Sequence, residues 1–113
     1  MLHVTADKIA FVILLAREAD SAHGNAARAE LREFLDGLNA DELAGLVAIM
    51  WVGRETFLPD ELSEAFETAQ AERGERPGDY LTAEPQLADF LEVGLAALGL
   101  SPEDEADRIQ HPV

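Results

Sequence analysis

Apolar residues recur along this chain at helical spacing in five stretches, each bounded by a capping residue, a glycine or a proline. The most complete stretch is Asn39 to Arg54. Asn39 reads as an N-cap, and Glu42, three residues on, completes a capping box. Leu43, Leu46, Val47 and Met50 then form one stripe, while Ala44, Ala48, Trp51 and Val52 fill the other side. A helix with so little solvent face belongs in the middle of something.

The first predicted helix runs from an N-cap at Thr5 to about Ala22 and is ended by Gly24. It too is apolar nearly all round, with Ile9, Val12, Ile13 and Ala16 on one stripe and Phe11, Leu14 and Leu15 on another. From Asn25 to about Leu38 the pattern is one-faced, with Ala27, Leu31, Phe34 and Leu35 inside and charged residues, Arg28 among them, outside. Pro59 opens a fourth helix to about Arg73, with Leu62, Ala65, Phe66 and Ala69 inward. Glu75 to Asp79 reads as a turn cluster because it holds Pro77 and Gly78. A fifth helix follows from Thr82 or Glu84 to Leu98, closed by Gly99. Gly94 lies inside it, where glycine costs about 1 kcal/mol relative to alanine, so a second helix is expected to approach closely there.

The pattern therefore predicts an all-α fold, a compact bundle of about five helices, with residues 1–100 as one domain. Residues 101–113 form an acidic tail, either a short helix capped by Ser101 or a frayed end. Two helices apolar on every side exceed what a small bundle normally holds. Either the other three wrap them, or a homodimer covers one surface.

Charge narrows the partners. The formal charge is -15, from 23 acidic residues against eight Lys and Arg, a field that repels phosphate backbones and anionic bilayers. Nucleic acid and membrane are accordingly not expected as partners. The absence of cysteine removes disulfides and thiolate chemistry and fits a cytoplasmic location. Ile9 to Ala16 is too short to span a bilayer, and Arg17, Glu18 and Asp20 stand where a signal-peptide cleavage site would be, so it reads as a core helix.

Candidate chemistry is sparse. The carboxylate pairs Asp41/Glu42 and Asp60/Glu61 lie at predicted helix starts, where dipole complementation explains them. His3, His23 and His111 have no ligand spacing, and His23 reads as a partner of a helix C-terminus. No catalytic residue, metal site or cofactor is nominated, and enzyme activity stays undecided with the balance against it. The more informative residues are arginines beside apolar surface. Arg17 and Glu18 end the first apolar block, and Arg54 follows Trp51 by one turn. With arginine so scarce, Asp89 and Glu92 are expected as carboxylate partners, and Arg54 can instead stack on an aromatic ring or close the helix dipole.

Taken together, Ala16-Arg17-Glu18, Leu38 to Glu42, Leu46 to Ala48, Trp51-Val52-Gly53-Arg54, Tyr80-Leu81, Pro85 to Glu92 and Gly94-Leu95 resemble an uncharacterised proteobacterial family, domain-of-unknown-function family 3775. The resemblance implies a small all-α cytoplasmic bacterial protein and brings no activity, substrate or cofactor with it. It implies a polar, acidic insert between the first two helices, of which only Ser21 to Asn25 remains here. It also singles out Arg17, Glu18, Trp51, Arg54, Tyr80, Asp89 and Glu92 as positions that could bind a ligand. The leading expectation is a self-associating helical interaction module of unknown function. The alternative is a small-molecule binder or enzyme with a pocket near Trp51, Arg54 and Tyr80, in which Arg54 holds an anionic group.

Overall fold

The computed structural model describes residues 2–21, 24–72 and 76–99. These form six α-helices: α1 (Ala6–Ala19), α2 (Gly24–Asp36), α3 (Ala40–Gly53), α4 (Leu62–Ala71, entered through a 3-10 turn at Pro59–Glu61), α5 (Pro77–Ala83) and α6 (Leu87–Ala97). No strand occurs among the described residues. The expectations for His23 and for the tail at 101–113 fall outside them.

Both predicted N-caps form. The Thr5 hydroxyl accepts from the Lys8 N–H at 3.3 Å, and Asn39 and Glu42 exchange the two hydrogen bonds of a capping box at 2.8 and 3.0 Å. The Glu42 carboxylate also takes the Lys8 ammonium, tying the start of α1 to the start of α3.

The core is centred on α3, in which Ala44 to Gly53 are ten consecutive buried residues. It packs chiefly on α6 and α4, with α5 also in contact, while α1 closes the bundle by packing on both α2 and α6. One chain thus encloses its central helix. Gly53 and Gly94 make this possible. A Cβ at Gly94 would lie 2.3 Å from the Ile49 carbonyl oxygen, and one at Gly53 would lie 1.9 Å from that of Phe90. The backbones of α3 and α6 approach where neither helix carries a side chain, which is the close approach expected at Gly94.

Three expectations need correction. There are six described helices rather than about five, because Pro77-Gly78 begins a helix instead of a turn. Proline fits the first helical position, and Leu81, fully buried, anchors the short α5 in the core. Only α3 is buried all round. On α1 Leu15 is core, but Phe11 is 37% and Leu14 52% exposed. Gly24 does not end α1, which closes at Ala19 with Asp20 as C-cap; it is the first residue of α2, buried so tightly that a Cβ would lie 2.0 Å from the Ala19 carbonyl oxygen.

Candidate functional site

Trp51, Arg54 and Tyr80 meet at the end of α3. Trp51 and Arg54 lie one turn apart on or just past α3, and α5 brings Tyr80 against them. The Tyr80 phenol oxygen accepts from the Trp51 indole N–H at 2.9 Å and from the Arg54 guanidinium at 3.0 Å. The Trp51 ring also stacks on Phe57, centroids 5.6 Å apart. Arg54 stands 6.0 Å over the Phe90 ring and 4.0 Å from the Glu84 carboxylate. The cluster thus fastens α5 and the α5–α6 turn to α3.

Arg17, Asp89 and Glu92 form a separate group across α1 and α6. The Arg17 guanidinium lies 3.2 Å from Asp89 and 2.6 Å from Glu92. The Glu92 hydrogen bond is the main cause holding the Arg17 pKa above its ordinary value, with Asp89 adding to it and burial opposing. All three side chains are at least 45% exposed, so this brace contributes little to stability. Glu18 joins neither group. Its backbone carbonyl accepts from the Ser21 hydroxyl at 2.7 Å, and its carboxylate borders a shallow hollow with Ser21 and Glu30, where two like charges face solvent.

A cleft of about 280 Å³ opens on the other side of Glu84, between the end of α1, α2 and the α5–α6 turn. Ala16, Leu31, Pro85 and Leu87 give it apolar walls; Asp20, Arg28 and Glu84 supply its charges. Glu84 is positioned on both sides, its Oε2 accepting from the Gln86 N–H at 3.2 Å and its Oε1 facing Arg54. Arg28 and Asp20 make no side-chain ion pair or hydrogen bond among the described residues, although they line the same cleft.

None of these three charged residues is among the site residues expected from the sequence. Glu84 reads there as a helix start and Arg28 as an outward residue of a one-faced helix, and Asp20 reads as part of the charged flank of α1. The available signal was the scarcity of arginine in so acidic a chain, although Arg76 is, like Arg28, without an ion pair among the described residues. Among the described residues, no group of three or more His, Asp or Glu is placed to hold a metal ion. No described helix is long and apolar enough to cross a membrane.

No curated protein and no solved structure matches this chain. A protein-family match does exist, to DUF3775, described as a protein of unknown function, over residues 28–100. It takes in the Trp51–Arg54–Tyr80 cluster, Arg28 and Glu84, and it begins after Ala16-Arg17-Glu18. Covering well over half of the chain, this match makes the protein a member of the DUF3775 family.

Proposed function

We propose that the protein binds a small molecule bearing an anionic group in the cleft beside Glu84, with Arg28 receiving that group. Arg28 is the observation that carries the reading. Lys8, Arg17, Arg32 and Arg54 each face a carboxylate; Arg28 and Arg76 pair with none among the described residues, and Arg28 is the one that lines this cleft. A guanidinium offers a planar fork of donors suited to a carboxylate or phosphate, and apolar walls alongside it favour a ligand with a hydrocarbon part. Arg54, the arginine expected to hold the anion, is occupied by Tyr80 and Glu84. Its role, with Trp51 and Tyr80, is to hold the wall of the cleft in place. A cleft of about 280 Å³ suits a small metabolite.

The test is a thermal-shift screen of small carboxylates, amino acids and phosphates against the protein and its Arg28→Gln variant. A ligand at a hundred times its Kd stabilises the native state by about 2.7 kcal/mol, or roughly 10 °C in a domain of this size. Stabilisation of the parent that Arg28→Gln abolishes supports the reading; a full screen without a hit removes it.

A second reading, self-association, is favoured by Phe11 and Leu14, one turn apart on the outer side of α1, with Phe11 edge-on to Phe34 at 4.8 Å. A two-fold axis there would set Phe11 of each copy against Leu14 of the other. The strip is far smaller than the roughly 800 Å² per partner of a stable interface, and like charges oppose it, so such a dimer is weak and tightens as salt screens repulsion. Sedimentation velocity with Leu14→Glu decides: a salt-promoted dimer lost in the folded variant supports it, and a monomer at every salt concentration excludes it.

A further inference from the structure

We infer that the ligand of this cleft is a zwitterion, a short aliphatic α-amino acid, with its carboxylate on Arg28 and its ammonium on Asp20 beside Glu84. This rests on the reading of the cleft as a ligand site and adds the chemical class. The charges lining the cleft decide it. Among the described residues, one arginine and two acidic residues, Glu84 already facing Arg54, line this cleft of about 280 Å³ with Ala16, Leu31, Pro85 and Leu87. A purely anionic ligand would satisfy Arg28 while facing Asp20 and Glu84 at close range, and it would approach against the field of a chain charged -15. A purely cationic ligand would meet Arg28 as a like charge. A zwitterion carries no net charge toward the surface and answers both signs on arrival.

Two further placements agree with this assignment. Asp20 is the C-cap of α1, so the ammonium would sit at the negative end of the helix dipole, whose last residue, Ala19, also lines the cleft. Glu84 is already oriented by the Gln86 N–H and Arg54, so it need not be ordered when a ligand binds. The apolar walls then receive a short aliphatic side chain.

The experiment is an NMR titration of the full chain with L-valine and its two halves, 3-methylbutanoate, which lacks the amine, and 2-methylpropylamine, which lacks the carboxylate; L-alanine and L-leucine complete the series. At least one of the amino acids should shift the Arg28 and Leu87 signals and bind about tenfold or more tighter than either half-molecule. Arg28→Gln and Asp20→Asn should each weaken it by about tenfold, and both exposed positions should leave the helical circular dichroism unchanged. If 3-methylbutanoate binds as well as valine, or Asp20→Asn has no effect, the zwitterion is refuted while anion binding at Arg28 stands. If no compound shifts the cleft signals, the amino acid assignment falls, and the fate of the site itself is read from the carboxylate and phosphate screen.

Discussion

Replacing Gly94 by alanine tests the closest approach in the fold. The added Cβ would lie 2.3 Å from the Ile49 carbonyl oxygen, 3.0 Å from its Cγ2 and 3.2 Å from its carbonyl carbon. A carbon and a carbonyl oxygen rest at roughly 3.3 Å or more, so α6 would have to retreat from α3 by about 1 Å. A gap of that size forfeits a quarter to a half of the dispersion energy between facing atoms, and it would open along Leu91 and Leu95, both buried against α3. The atom that is met belongs to a helix backbone and cannot rotate aside, which places the overpacking cost at the upper end of its range, about 3 kcal/mol. Alanine returns about 1 kcal/mol of helix propensity. The net effect is a loss of about 2 kcal/mol, read as a lower urea midpoint at constant m-value and a melting temperature reduced by roughly 10 °C. Gly53→Ala should act on the same contact from the other helix, since its Cβ would meet the Phe90 carbonyl oxygen at 1.9 Å. Once either variant has moved α6, the other costs less, so the pair should lose less than the sum of the single losses. A Gly94→Ala protein as stable as the parent, or strict additivity of the two, would refute the packing described here.

Tyr80→Phe deprives the Trp51 indole N–H and the Arg54 guanidinium of their shared acceptor; with Trp51 only 7% exposed, the loss should be about 1–3 kcal/mol by urea unfolding, and a change within 0.5 kcal/mol would show that water replaces the phenol. Acidification supplies another test. The Lys8 ammonium first, and then the Asn39 N–H, hold the Glu42 carboxylate below its ordinary pKa of 4.5. A depressed folded-state pKa means that Glu42 contributes stability above its unfolded pKa and loses it as pH falls through the folded value. Stability followed by chemical denaturation should therefore decline below about pH 4.5, and Glu42→Gln should remove part of that decline; identical pH profiles would dismiss the contribution.

How far the fold could be read depended on whether its determinants are local. The caps of α1 and α3 are local, since Thr5 and Asn39 bond to residues three positions away, and both were legible. So was the close approach at Gly94, because glycine inside a helix carries a cost that needs a cause. The short α5 was not, because a seven-residue helix has too few turns to show periodicity. Its supports are distant in the chain: Asp79 on Arg32, Tyr80 on Trp51 and Arg54, and Leu81 in the core. The same distinction divides the candidate site. Arg17 with Asp89 and Glu92, and Trp51 with Arg54 and Tyr80, come from residues whose types attract notice. The cleft forms where α1, α2 and the α5–α6 turn meet, and its charged residues look like ordinary surface until the helices are placed.

The helices packed chiefly on α3 all follow it in the chain, and this sets an order in time. Its ten-residue buried stretch is complete at Gly53, but its most extensive partner, α6, begins only at Leu87 and ends at Ala97. At the usual ~5–20 residues per second of synthesis, a nascent chain would carry its most apolar helix for on the order of several seconds before the last wall arrives. During that interval the emerging α4 gives only partial shelter, so the half-made protein is the form most exposed to aggregation and most in need of a chaperone.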